Sequence, residues 1–139
     1  MIRYPVTLTP DDNDTFFVTC PDLPEVKSFG DDEADAFSHA ADAVAEAVAS
    51  RLAEFGDIPK PTAGRPSVAL DSQLTLKVLL KWAMDAAPMS RAELARRMGS
   101  HRPQIDRLFD PKHATRLDQY DAAFQALGLS VDIGTHKAA

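Results

Sequence analysis

The 139-residue chain has a single cysteine, Cys20, a single tryptophan, and only four histidines, which are scattered along it. One thiol closes no internal disulfide, and histidines so placed lack zinc-ligand spacing, so disulfide scaffolds and zinc fingers are excluded. No apolar run approaches the roughly 18 residues of a membrane span, and the opening MIRYPVTLTPDD lacks the basic-then-apolar order of a signal peptide. These absences lead us to expect a cytoplasmic protein in a reducing compartment, with no membrane partner.

Basic side chains are scarce in one half only. Residues 1–63 carry four (Arg3, Lys27, Arg51, Lys60) against 13 acidic residues, a net of −9; residues 64–139 carry 11 against 8, a net of +3. An acidic half repels nucleic acid and attracts basic proteins, whereas a basic half suits a phosphate backbone. The length allows one compact domain or two small ones, and a module of about 70 residues buries only roughly 60% of its unfolded surface, so either half alone is marginal.

Ile2, Tyr4, Val6 and Leu8 alternate with Arg3, Pro5, Thr7 and Thr9, the period of a strand with one buried face. Pro5 cannot donate to a ladder, so that strand is expected at an edge or with this position outward. Asp11, Asp12, Asn13 and Asp14 form a turn, residues 15–20 (TFFVTC) a second strand, and residues 26–29 a third after the loop PDLPE. Asp31, Asp32, Glu33 and Asp35 then open a helix at the end where the dipole favours acids. It is expected to run to about Phe55, burying Phe37, Ala41, Val44, Val48, Leu52 and Phe55, and to stop at Gly56. Residues 58–67 (IPKPTAGRPS) contain Pro59, Pro61, Gly64 and Pro66 and serve as a connection. Residues 68–70 read as a fourth strand returning to the sheet.

The rest reads as helical. Leu76, Leu79, Leu80 and Ala83 mark the inner face of a helix starting near Asp71 or Ser72 and stopping before Pro88. Ser90 and Glu93 have capping-box spacing and open a helix that Gly99 ends. A third helix spans about residues 102–109. Thr115 and Asp118 have the same spacing at the start of a fourth, which buries Leu117, Tyr120, Phe124 and Leu127 and ends at Gly128. The tail residues Leu129, Val131 and Ile133 alternate like a strand too short to stand alone.

Two short helices joined by a glycine turn match a helix-turn-helix. Leu94 and Ala95 would face inward on the first helix, and Ile105 and Leu108 would hold the second to the core. Arg102, Pro103, Gln104, Asp106 and Arg107 would then face outward. Arginine pairs with guanine and glutamine with adenine through two hydrogen bonds in the major groove, which makes Arg102, Gln104 and Arg107 the candidate base readers. Ser90, Arg91, His101, Lys112, His113 and Arg116 are candidate phosphate contacts. The competing structural reading is an αα-hairpin with a solvated cationic face.

The run from Tyr4 and Pro5 through FVTCPDLPEVKSFGDD and the Ala-rich helix resembles the N-terminal domain of HicB antitoxins, in which an F-V-x-x-P-D-L-P-x-V-x-S-x-G-D pattern recurs. The run from Lys77 (KVLLKWAMDAAPMSRAELARRMGSHRPQIDRLFDPKHATRLDQYDAAFQALG) resembles the helix-turn-helix of one branch of that family. Pro103 and the Ser100–His101 turn depart from the usual polar start of a recognition helix. The resemblance implies an α+β fold: a degenerate ribonuclease-H-like β-β-β-α-β domain over residues 1–70, then an all-α helix-turn-helix domain over residues 71–139. It further implies binding to a small basic HicA-like ribonuclease toxin, repression through operator DNA, and a homodimer or higher oligomer. By position, Phe17, Asp22, Leu23 and Glu25 are the residues expected to meet the toxin.

An enzyme is not expected. A ribonuclease-H-type nuclease needs carboxylates converging on Mg²⁺ from separate elements, whereas Asp31, Asp32, Glu33 and Asp35 crowd one helix start. Ser38 and His39 are neighbours on a helix, about 100° apart, and make a poor nucleophile–base pair. Cys20 and Trp82 read as packing residues. No catalytic residue, metal or cofactor is expected. The alternative classes are a nuclease with a DNA-targeting module and a helix-turn-helix regulator whose N-terminal part senses a small ligand, for which the Ala-rich helix leaves little pocket.

Overall fold

The computed structural model describes residues 1–137. Among them the order is β1 (Arg3–Pro5), β2 (Thr7–Pro10), β3 (Phe16–Thr19), β4 (Lys27–Gly30), α1 (Glu33–Ala53), β5 (Ser67–Ala69), α2 (Ser72–Ala86), α3 (Arg91–Met98), α4 (Arg102–Leu108) and α5 (Leu117–Ala126). The protein is thus a mixed α/β chain with small antiparallel sheets and five helices.

The first strand run serves two neighbours in turn. Its first half pairs antiparallel with β5 (Tyr4 opposite Val68), and its second half pairs antiparallel with β3 (Leu8 opposite Val18), which pairs with β4 (Phe17 opposite Phe29). Pro5 thus lies in an edge strand, as expected, but its ring is buried rather than outward. The chain accommodates it because the connection covers it: a Cβ on Gly64 would lie 2.9 Å from Pro5 Cβ, so only glycine fits there. The expected burial of Ile2, Tyr4 and Val6 holds, and the Tyr4 hydroxyl donates to the Pro59 carbonyl at 2.6 Å.

One face of the sheet is covered by α1, whose Asp32 cap accepts the Asp35 N–H at 2.7 Å. Val44, Val48 and Leu52 are fully buried as the periodicity predicts, each worth about 1.5–3 kcal/mol of apolar burial. The first turns differ from expectation: Ala36 and Ala40 face the core while Phe37 is 37% exposed. A Cβ on Gly30 would lie 2.1 Å from the Ala36 nitrogen, so the helix start lies directly on β4, leaving space for alanine and none for phenylalanine. At the other end the positive φ falls on Phe55 (52°) and not on Gly56. The Phe55 ring is held in place from several sides, by Phe109 edge-on at 5.1 Å, Lys81 Nζ at 4.6 Å and the Arg91 guanidinium at 4.5 Å.

Helix α2, capped by Asp71 on the Leu74 N–H at 2.8 Å, buries Leu80 as predicted and half-buries Leu76 and Ala83, but its inner stripe leaves Leu79 out. Leu74, Lys77, Val78, Leu80, Lys81 and Met84 are buried, and Leu79 is 40% exposed. Two lysines lie in this core because their ends are satisfied: Lys81 Nζ binds Asp85 at 2.7 and 2.9 Å, and Lys77 binds three oxygens described below. Trp82 joins α2 to the connection by donating to the Ile58 carbonyl at 2.7 Å. Gly99 (φ 61°) and Gly128 (φ 75°) adopt the left-handed conformation expected where α3 and α5 end.

Candidate nucleic-acid and protein-binding surfaces

Helix α3 opens with the Ser90 hydroxyl accepting the Glu93 N–H at 3.1 Å. Only this half of the capping box appears, because the Glu93 carboxylate turns forward to Arg96 and to Arg97 (3.2 Å), which hold its pKa below the ordinary glutamate value. Leu94, Ala95, Ile105 and Leu108 are buried and pack the α3–α4 pair. Arg102, Pro103, Gln104, Asp106 and Arg107 are exposed, as the helical spacing requires.

The outward side chains are not equivalent. The Asp106 carboxylate bridges Arg102 Nε (2.9 Å) and Arg91 (3.3 Å), and Arg91 also lies over Phe55, so these two arginines are tied to the protein. Gln104 Oε1 accepts from the Ser100 hydroxyl at 2.6 Å. Arg107 makes no side-chain hydrogen bond or ion pair among the described residues. With Gln104, Leu108, His113, Thr115, Arg116 and Gln119 it lines a shallow groove of about 220 Å³ between α4 and α5. Arg116 is 82% exposed and pairs with Asp118 at 3.2 Å. Lys112 and His101 are exposed; His101 occupies the cap position of α4 without a side-chain bond. The structure therefore gathers Gln104, Arg107, His113 and Arg116 in one groove. Ser90 is engaged as a cap, and Arg91 is turned toward Phe55.

Beneath this groove lies an arrangement that sequence reading missed. Lys77 Nζ donates to the carbonyls of Arg107 (3.0 Å) and Leu108 (3.3 Å) and to the Thr115 hydroxyl (2.8 Å), while sitting 5.5 Å from the Tyr120 ring. One turn earlier on α2, the Gln73 amide pairs with the Thr115 backbone in both directions, at 2.8 and 3.2 Å, and accepts from the Tyr120 hydroxyl at 2.5 Å. Thr115 is thus diverted from the predicted capping box, and α5 begins at Leu117 with no side-chain cap. Burial pushes Lys77 down to about 8, with Asp110 opposing the shift. The available signal was a pair of polar residues at i and i+4, Gln73 and Lys77, beside the apolar Leu74 and Val78.

The four candidate toxin contacts of the acidic half are held in different ways. Leu23 is fully buried, so its side chain offers a partner no surface. Glu25 is held by Arg51 at 2.7 and 2.9 Å, which lowers its pKa, and Asp22 accepts the N–H and hydroxyl of Thr62 at 3.0 and 3.1 Å. These bonds fix the loop to α1 and to the connection. Phe17 stands on the sheet face away from α1, its ring 5.0 Å from that of Phe29, which is 57% exposed. Cys20 is buried, its thiol 3.4 Å from the Pro5 carbonyl and its pKa raised by burial. Among the described residues no three His, Cys, Asp or Glu side chains gather as metal ligands, and no helix is long and apolar enough to cross a membrane.

Sequence comparisons agree along most of the chain. A family model described as the HicB-like antitoxin of bacterial toxin–antitoxin systems matches residues 3–82. The chain is 34% identical over 128 residues to Antitoxin HicB 1 of Photorhabdus laumondii, covering 91% of this chain and 83% of that one. It is 33% identical over 135 residues to Antitoxin HicB of Escherichia coli K12, covering 95% and 98%. A crystal structure of the Burkholderia pseudomallei antitoxin HicB aligns with 71% of this chain and 94% of its own, at 20% identity and a TM-score of 0.47, too distant for comparing sites. The match over most of the chain, to the family model and to full-length relatives alike, makes this protein a member of the HicB antitoxin family.

Proposed function

We propose that the chain is an antitoxin that binds and neutralises a small basic HicA-like ribonuclease and, as a homodimer or higher oligomer, represses its own operon by binding operator DNA in the cytoplasm. The observation that carries this reading is the division of charge in a HicB-family chain. Residues 1–63 hold 13 acidic side chains against four basic ones, and none of those acids is buried. A toxin that grips RNA is basic, and unlike charges speed its encounter with such a surface. Helices α3 and α4 instead expose arginines beside a polar groove, as a DNA-contacting pair requires.

In this reading the strand and α1 portion, with a boundary near residue 70, is the degenerate ribonuclease-H-like toxin-binding unit, and the remainder is the DNA-binding unit. Arg107, Gln104 and Arg102 read bases; Ser90, Arg91, His101, Lys112, His113 and Arg116 meet phosphates. One helix-turn-helix reads few bases, so paired half-sites about 34 Å apart are expected. The protein itself performs no catalysis.

The test is co-expression with the small basic reading frame beside its gene. Rescue of growth, recovery of both chains through a tag on one, and a footprint over an inverted repeat upstream are the expected results. Recovery of this chain alone, with no toxicity from the neighbour, overturns the reading.

A further inference from the structure

The sheet has a gap in its hydrogen bonding. Successive peptide groups of a strand point to opposite edges. On the β5 side, the Ile2 carbonyl accepts the Leu70 N–H at 3.0 Å and the Val6 N–H donates to the Pro66 carbonyl at 2.9 Å. On the β3 side, the Pro5 carbonyl accepts from Cys20, and Thr7 and Thr9 stand opposite Thr19 and Phe17. Leu8, two residues beyond Val6, therefore directs its N–H and C=O toward the β5 side. Strand β5 begins only at Ser67, opposite Pro5, and no described backbone pairs with Leu8 on that edge.

Beside this open edge lies a groove of about 530 Å³ lined by Leu8, Phe37, Pro66, Ala34 and Glu33. Its floor is apolar, and the displacement of Phe37 from the core is what supplies it. Its surroundings are acidic: Pro10, Phe16 and Gly30 are in register, which brings the Asp11, Asp12 and Asp14 turn and the Asp31, Asp32, Glu33 and Asp35 helix start to one end of the sheet. Of these seven carboxylates only Asp35 has an ion-pair partner among the described residues, His39 at 3.6 Å. Arg65, next to Pro66, is the nearby cation in the sequence.

We infer that the β2 edge at Leu8 is a docking site for an extended, basic segment of the toxin, which adds as a strand in line with β5. Its backbone pairs with Leu8, an apolar side chain enters the groove against Phe37, and flanking Lys or Arg residues face Glu33 and the aspartates. This inference rests on the proposed antitoxin role and assigns the contact surface for it, replacing the tethered loop residues Asp22, Leu23 and Glu25. Strand addition supplies affinity through main-chain bonds and specificity through the pocket, and an unpaired edge is the feature it needs.

Residue-resolved amide exchange on the full chain, alone and with a catalytically inactive variant of the toxin from the adjacent frame, tests it. Free, the Leu8 amide exchanges quickly while those of Thr7 and Thr9 are protected; with toxin bound, Leu8 slows by about 100-fold. Phe37→Ser weakens toxin binding about 10-fold with the melting temperature kept, whereas Leu79→Ser on α2 leaves it unchanged. Toxin binding with Leu8 exchange and the Phe37→Ser affinity unaltered overturns the site while the antitoxin reading stands. Absence of any binding by the unaltered chain overturns both. Slowing of Leu8 on concentrating the chain alone assigns the edge to a second copy and overturns the inference.

Discussion

Lys77 Nζ lies 3.0 Å from the Arg107 carbonyl, so a buried ammonium on α2 closes the C-terminal end of α4. Its three donors meet three acceptors, and Lys77→Met leaves the Leu108 carbonyl and the Thr115 hydroxyl without this donor. The expected cost is about 1–3 kcal/mol, the usual penalty of unpaired buried polar groups, read as a lower denaturant midpoint with unchanged slope. Lys77→Arg, larger and always charged, is not expected to restore it.

The same lysine gives the protein a distinctive alkaline profile. Its folded pKa of about 8 lies below the ordinary 10.5, so between those values the unfolded chain holds a proton that the folded chain has released. Stability therefore rises with pH through that window. From about pH 9 upward the buried Cys20 thiol, and above pH 10 Tyr4, raised to about 12 mainly by burial, act in the opposite sense. Denaturant melts between pH 7.5 and 9.5 are expected to show the rise in the unaltered chain and to lose it in Lys77→Met.

Asp106 pairs with both Arg102 and Arg91. Asp106→Ala removes a negative charge from the proposed DNA face and releases both guanidinium groups, so non-specific DNA affinity is expected to increase and its salt dependence to steepen by about one to two units. Arg107→Ala is expected to cost about 1–3 kcal/mol at one operator position, and Lys112→Ala to weaken all sequences alike. Salt-series binding assays on operator and scrambled duplexes separate the cases; identical behaviour of all three variants contradicts the assignment.

The structure also refines where the chain divides. Trp82 donates to the Ile58 carbonyl and Lys81 covers Phe55, so α2 packs on the end of α1. A fragment ending after Leu70 exposes that surface and the β1–β5 pair together. It is expected to melt at lower temperature and less cooperatively than one ending at Ala87, while neither binds operator DNA. Equal melts of the two fragments contradict this packing argument.

What the sequence made legible followed from local rules. The alternation through Ile2, Tyr4 and Val6, the acidic opening of α1, the start of α2 near Asp71, and the glycine ends of α3 and α5 at Gly99 and Gly128 each depend on a few adjacent residues. What it hid depended on distant partners. Phe37 is displaced because Gly30 brings β4 against Ala36, and Thr115 leaves its capping box because Gln73 and Lys77 reach it from 42 and 38 residues away. In the site, the outward set on α4 was readable from helical spacing. The restraint of Arg91 and Arg102 by Asp106, and the burial of Leu23, needed the tertiary structure.

The most direct test of the antitoxin reading is a titration of this purified chain into RNA cleavage by the small basic ribonuclease encoded beside it, at low and at moderate salt. Cleavage is expected to stop near a fixed stoichiometric ratio at both, with salt slowing the onset of inhibition more than it weakens the endpoint. Undiminished cleavage at several-fold excess of the folded chain would contradict the account.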